Sequence, residues 1–402
     1  MTRTNRHQNP SRSLRRRFAL PAAILACLAA AALVGASSPA KPTATTDNTA
    51  TGLQQDLDAL VAAGAPGAIL FVRNGSRTQQ LTAGMSDIAH ETPIAARDHF
   101  KIASLTKTYT ATVVLQLVGE GKLSLDDSVQ RRLPGVVPNG RKVTIRQLLN
   151  HTSGLADFES NPRYLKPYLA GNFGYHWAPR QLVRMGVSLK PLFAPGTRWS
   201  YSNTNYVVAQ LIAEKITGNP LGAEFRRRIF QPLELDQTSY PTKPGLPSPY
   251  AHGYRLFDNP PLTDVTGLSP SLAPGSGSII STVRDVADFH RALLAGRLLK
   301  PEQLQAMKTT VSERTGKVVA YGPGYGLGIA HSGTARPSAA VNLPCAGWGH
   351  SGELPGYDVS AAFSEDGRRQ AVLMLNQDAT TLPRPALVLY VRLIGKAFCA
   401  GA

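Results

Sequence analysis

The chain has 402 residues, 43% of them hydrophobic and 17% charged. That excludes a disordered or collagen-like chain and provides for a sizeable core in one large or two intertwined domains. The net charge of +17 favours anionic surfaces, but no run of Lys and Arg interleaved with aromatics lies beyond residue 36, so nucleic acid is not an expected partner.

Residues 1–36 carry Arg3, Arg6, Arg12, Arg15, Arg16 and Arg17 and no acid. An apolar stretch from Phe18 to Val34 follows and ends in the small residues Gly35 and Ala36. This is the layout of a secretory signal cleaved after Ala36. The competing reading is a membrane anchor. The run is near the lower limit for spanning and contains Pro21, so no permanent membrane span is expected after cleavage. Arg15-Arg16-Arg17-Phe18 hints at twin-arginine export, and Cys27 sits too deep in the apolar run to be a lipoprotein cysteine. Loss of the leader leaves a charge of about +11 and two cysteines, Cys345 and Cys399. An even count outside the cytoplasm favours a disulfide between them. The expected location is secreted or cell-wall associated, with wall contact through positive charge.

Residues 37–50 read as a disordered Pro/Thr/Ala linker. Leu53, Leu57, Leu60 and Val61 recur at helical spacing. Ala68 to Val72 and Thr78 to Thr82 read as strands around an Asn74-Gly75 turn. Apolar residues from Val113 to Val118 predict a buried helix ending near Gly119 to Gly121. Further helices are expected over 143–149, 207–216 and 283–294, with Pro and Gly dense between them. Beyond about residue 318 the period changes: Tyr357 to Phe363 and Ala371 to Leu375 read as strands joined at Glu365-Asp366-Gly367, and Pro385 to Ala400 as a closing helix. Strand-forming material at both ends and helical material between predicts an α+β fold. The sheet part is expected over 51–103 and 318–402 and the helical insertion over 104–317, together one catalytic domain over 51–402.

Three short segments carry chemistry. Ser104-Leu105-Thr106-Lys107 places a hydroxyl and an amine one helical turn apart, and a hydroxyl is a poor nucleophile until a base takes its proton. Tyr201-Ser202-Asn203 follows the turn Pro195-Gly196, so it lies on a loop leading into a helix. A tyrosine beside an ammonium gains a lowered pKa and serves as a general base, and an asparagine two residues on can hold a substrate amide. His350-Ser351-Gly352 precedes a strand hairpin, where glycine admits a substrate backbone to a strand edge. His151-Thr152-Ser153-Gly154 has a similar spelling but reads as a helix cap or turn, and His331-Ser332-Gly333 runs into a Pro-containing loop. The nine histidines show no pair or cluster of metal-ligand spacing, and the Gly322–Gly326 run lacks the ending of a phosphate loop, so neither metal nor other cofactor is expected.

In order and spacing these boxes resemble the serine penicillin-recognising family, which includes class C β-lactamases, secreted D-alanyl-D-alanine carboxypeptidases, esterases and D-amino-acid peptidases. Thr144-Ile145-Arg146-Gln147-Leu148-Leu149-Asn150-His151-Thr152-Ser153-Gly154-Leu155, Ala194-Pro195-Gly196 and Tyr325-Gly326-Leu327-Gly328 extend the resemblance from about residue 53 to the C-terminus, and the placement of Cys345 and Cys399 also resembles the secreted carboxypeptidases. The resemblance implies an acyl-enzyme at Ser104, with Lys107 or Tyr201 as base and Tyr201 returning a proton to the leaving group. It also implies that Asn203, His350, Ser351 and Gly352 contact substrate and that the backbone N–H groups of Ser104 and Glu353 form an oxyanion hole, worth on the order of 3 kcal/mol per donor.

Two departures weaken a D-alanyl-D-alanine substrate. Ile329-Ala330-His331 stands where a basic residue for the terminal carboxylate is expected, with Arg336 only in a nearby loop, and Glu353 would repel that carboxylate. The leading expectation is nevertheless an exported D-alanyl-D-alanine carboxypeptidase-like serine hydrolase that also binds β-lactams. An esterase or D-aminopeptidase with the same chemistry is the alternative, and a non-catalytic penicillin- or wall-binding protein the reading of another class. Partners are then a small peptide, ester or β-lactam.

Overall fold

Residues Gly67–Asn74 form a strand because β-branched and aromatic side chains alternate between two apolar faces. Ile69 and Phe71 point into one core, Ala68 and Leu70 into another, so the strand is buried on both sides. The computed structural model describes residues 46–257, 261–319, 324–332 and 345–399.

Strand β1 (Gly67–Asn74) pairs with β2 (Arg77–Asp87), which carries the short β3 (Thr92–Pro93). Two small ribbons follow from β4 (Phe100–Lys101), β5 (Tyr254–Arg255), β6 (Thr263–Asp264) and β7 (Ile280–Ser281), with β4 pairing β7 and β5 pairing β6. The rear of the chain supplies β8 (Thr310–Val311), β9 (Val318–Val319), β10 (Gly324–Tyr325), β11 (Ala330–Ser332), β12 (Gly347–Leu354), β13 (Tyr357–Phe363) and β14 (Arg369–Leu375). The large sheet runs β3-β2-β1-β14-β13-β12-β11-β10-β8-β9. The two ends of the chain meet at its centre, where Ala68 stands opposite Leu375 and Asn74 opposite Arg369. The expected α+β architecture, with one antiparallel sheet built from both ends, is borne out.

One face of the sheet is covered by helices Thr46–Ala62 and Arg384–Cys399. Leu53, Leu57 and Leu60 on the first, and Leu393, Ile394, Ala397 and Phe398 on the second, fill that layer. Burying a side chain of this size stabilises by about 1.5–3 kcal/mol. Lys396 pairs with Asp56 across the two helices. The first helix begins at Thr46, so the linker expected over 37–50 is corrected for Thr46–Ala50. Once the leucine face has nucleated the helix, adding a turn of weak formers is cheap. The expected leader and the rest of the linker lie outside the described residues.

The opposite face packs on the helical middle of the chain, whose centre is helix Thr106–Gly119. That helix is buried almost all round, so apolar periodicity cannot show which side faces what. Its buried threonines are satisfied: Thr108 donates to Gly328 O at 2.6 Å and Thr110 to Gly275 O at 2.7 Å. Gly328 is required there, because a Cβ would lie 2.6 Å from Ala111 Cβ and 2.8 Å from Lys107 O. Among the described residues no helix is long and apolar enough to cross a membrane.

Candidate active site

The turn that carries Ser104 begins with a strained residue. Ala103 has φ 46°, a left-handed conformation that a residue with a Cβ rarely adopts. It opens a single 3-10 turn, Ala103–Leu105, that runs directly into helix Thr106–Gly119. Ser104 therefore stands at the positive end of that helix, and Lys107 follows on its first turn.

Lys107 is fully buried. Its Nζ lies 3.0 Å from Ser104 Oγ, 2.7 Å from Asn203 Oδ1 and 2.9 Å from Ser276 O. Burial brings its pKa down to about 7, against the opposing pull of Glu159 and Asp157. A neutral amine keeps two N–H groups and one lone pair. Asn203 Oδ1 and Ser276 O only accept, so they take the two N–H groups. The lone pair is left facing the Ser104 hydroxyl, the arrangement of a general base.

Tyr201 lies close enough to Ser104 to feel its hydroxyl, and Lys107 Nζ sits 4.8 Å from the centre of its ring. Its pKa is raised well above the usual phenol value, chiefly by burial. This corrects the expectation that a neighbouring ammonium lowers it: desolvation wins, and the resting Tyr201 is a phenol. Of the two candidate bases, Lys107 has the proton affinity suited to neutral pH. Tyr201 can carry a proton between Ser104 and a leaving group.

Asn203 opens helix Asn203–Thr217. While Oδ1 accepts from Lys107, both its backbone N and its Nδ2 donate to Asp157 Oδ2 at 3.0 Å. This side chain, expected to hold a substrate amide, is thus engaged in fixing the lysine. Burial pushes the Asp157 carboxyl up. Glu159, two residues on, is pushed up to about 8 by burial and by the charge of Asp157, and it also feels Glu353.

His350 lies on β12 and is buried. Its Nδ1 donates to Ser351 O, so Nε2 accepts from Tyr325 Oη at 2.9 Å. Burial first, and Lys107 second, hold its pKa down to about 3. It is a neutral acceptor that orders Tyr325. Ser351 stands opposite Ser360 in the ladder. Gly352 meets the Ser104 turn directly: a Cβ there would come within 2.7 Å of Ile102 O and 2.8 Å of Ser104 N. Gly352 therefore lies against the Ser104 backbone N, next to where a second oxyanion donor would have to stand. The Glu353 side chain is exposed, and its Oε1 accepts from Thr380 Oγ1 at 2.8 Å. Cys345, just before β12, is disulfide-bonded to Cys399 at the end of the closing helix. Among the described residues no cluster could hold a metal ion.

Ser104, Lys107, Tyr201, Asn203 and Gly352, drawn from three distant segments, thus converge. Four contributors went unmarked in the sequence. Ser276 acts through its carbonyl, which leaves no side-chain signal. Asp157 and Glu159 flank Phe158, and their only trace is an acid ending the apolar pair Leu155-Ala156. His151 is the turn residue expected, and it is also buried, with its ring centre 4.4 Å from that of Tyr201. Arg336 lies outside the described residues.

A hydroxyl, an amine and a phenol meeting between an antiparallel sheet and a helical layer are the build of a serine hydrolase of β-lactamase fold. The chain belongs to the Beta-lactamase family, whose model matches residues 53–396. It is 27% identical over 334 residues to penicillin-binding protein 4* of Bacillus subtilis (strain 168), covering 78% of this chain and 69% of that protein. A D-stereospecific amidohydrolase from Streptomyces sp. has a similar structure (TM-score 0.75), with 37% identity over 88% of this chain and 99% of its own. The D-amino acid amidase of Ochrobactrum anthropi SV3, in complex with L-phenylalanine, superposes with a TM-score of 0.74, at 28% identity over 88% of this chain and 98% of its own.

Proposed function

We propose that this protein hydrolyses amides or short peptides of D-amino acids bearing a free amino group, through an acyl-enzyme at Ser104. Lys107 takes the Ser104 proton as the hydroxyl attacks the carbonyl. The Ser104 and Glu353 N–H groups stabilise the oxyanion. Tyr201 passes a proton to the departing amine, and water then releases the acid.

The observation that carries the choice of substrate is the ring of carboxyl groups: Asp157 and Glu159 on the Asn203 side, Glu353 just past Gly352. An incoming ammonium would favour ionisation of Glu159 and be attracted by it, whereas a terminal carboxylate would be repelled. The likeness to D-amino acid amidases agrees with this. A D-alanyl-D-alanine carboxypeptidase is the second reading, favoured by the likeness to a penicillin-binding protein and by a serine site that a β-lactam could also acylate. Residues 1–36 favour export, with the positive mature surface resting against an anionic wall.

Turnover of D-phenylalaninamide, its N-acetyl derivative and a capped D-Ala-D-Ala peptide tests the choice. N-acetylation should lower kcat/KM by about tenfold or more, the loss of one ion pair at a half-screened site. Equal or faster turnover of the N-acetyl amide rejects the amino-group reading, and fast release of D-alanine from the capped peptide favours the carboxypeptidase.

A further inference from the structure

We infer that His151 is the positioning residue of Tyr201, holding the phenol over Ser104 by clamping the chain on both sides of it. The inference rests on the acyl-enzyme reading above. His151 follows helix Ile145–Leu149 and has φ 62°, a left-handed turn that folds its side chain back toward helix Asn203–Thr217. Its carbonyl accepts from Ser200 N at 3.0 Å, and its Nδ1 accepts from Ser202 N at 3.2 Å. One residue thus holds the Trp199–Ser200 and Tyr201–Ser202 peptide bonds, on either side of Tyr201. The imidazole supports the phenol ring between them at 4.4 Å, tilted by 33°. Tyr325 closes the other side of the imidazole at 4.7 Å.

Nδ1 also faces Asn205 Nδ2 at 3.2 Å, and Asn205 Oδ1 accepts from Ser153 Oγ at 2.6 Å. Two donors on Nδ1 fix the tautomer with the proton on Nε2. Nε2 is buried and has no hydrogen-bond partner among the described residues. An imidazolium would bring an N–H against the Ser202 N–H, so the clamp works only as the neutral ring. Burial and the nearby Lys107 keep it so. The segment His151-Thr152-Ser153 is therefore physically joined to Ser202-Asn203-Thr204-Asn205 by acceptor and donor pairs.

The test is turnover of D-phenylalanine p-nitroanilide, whose amine leaving group needs the proton Tyr201 carries, by His151→Phe and His151→Asn, with active sites counted by fluorophosphonate labelling of Ser104. Asparagine places Oδ1 near the Nδ1 position and tolerates the left-handed backbone, whereas phenylalanine keeps the ring and loses the acceptor. A phenol displaced by about 1 Å should lose on the order of 30- to 100-fold in kcat, so His151→Phe is expected to fall by that much with KM within about threefold. His151→Asn should stay within about fivefold of the parent. Wild-type kcat in His151→Phe, or an equal fall in both variants, overturns the clamp. Asn205→Ala, which removes one donor and leaves the backbone undisturbed, keeps the test open if His151→Phe does not fold: about a fivefold loss of kcat at constant KM supports the clamp, and an unchanged kcat overturns it. Ser104→Ala separates the two failures, because turnover surviving in that variant sinks the acyl-enzyme reading itself.

Discussion

Replacing Lys107 by methionine should make the native state more stable at acid and neutral pH, and the gain should fade as pH rises. The lysine pKa drops from 10.5 to about 7 on folding because the buried site disfavours its charge. Between those two values the unfolded chain binds a proton that the folded chain does not. The burden of Lys107 is therefore fully present below about pH 7 and is relieved as pH climbs toward 10.5. At 1.36 kcal/mol per pKa unit, the wild type should gain about 3 kcal/mol relative to Lys107→Met between about pH 6 and about pH 9.5. Comparing two pH values cancels the hydrogen bonds to Asn203 and Ser276 that the substitution also removes, since their loss does not vary with pH. Urea unfolding of both proteins across that range provides the measurement. A stability difference that stays constant within about 1 kcal/mol would refute the depressed pKa, and with it Lys107 as a neutral base.

The acid limb of kcat/KM should rise with unit slope toward about pH 7, and Asp157→Asn should move it to lower pH by removing a charge that favours the ammonium; a limb that stays put rules out Lys107 as its origin. Gly352→Ala should lower kcat/KM by about 100-fold or more by crowding the Ser104 N–H, with stability falling by about 1–3 kcal/mol as the backbone shifts, and wild-type kinetics in this variant would contradict the oxyanion assignment. Reducing the disulfide between Cys345 and Cys399, which are 54 residues apart, should lower unfolding free energy by about 2–4 kcal/mol in a denaturant titration with and without dithiothreitol.

That both ends of the chain share one antiparallel sheet was readable because Tyr357–Phe363 and most of Arg369–Leu375 are apolar, bounded by turn residues and close in sequence, but the order of its ten strands was not. Ser104 and Lys107 were readable because one helical turn sets their spacing. The supports of Lys107 were not. A backbone carbonyl from Ser276 could be any residue's, and Asp157 and Glu159 acquire meaning only when helix Asn203–Thr217 is laid against them. His151 was readable as a turn residue, and the turn is real. What one dimension hides is that the left-handed backbone aims the ring at Tyr201. The direction of the Tyr201 shift was hidden for a similar reason, since adjacency to an amine is visible in a motif but the depth of burial around it is not.

The pairing of Ala68 with Leu375 carries a consequence for biogenesis. On the ribosome, the earliest strands emerge without their central neighbour and wait until nearly all the polypeptide has been made. A nascent intermediate would expose the unpaired margin of β1 until β14 is made, inviting aggregation unless chaperones keep it extended. Such a chain can complete its sheet only once β14 has been made. Trimming even the closing helix should then leave a product that never matures, whatever the condition of its catalytic residues.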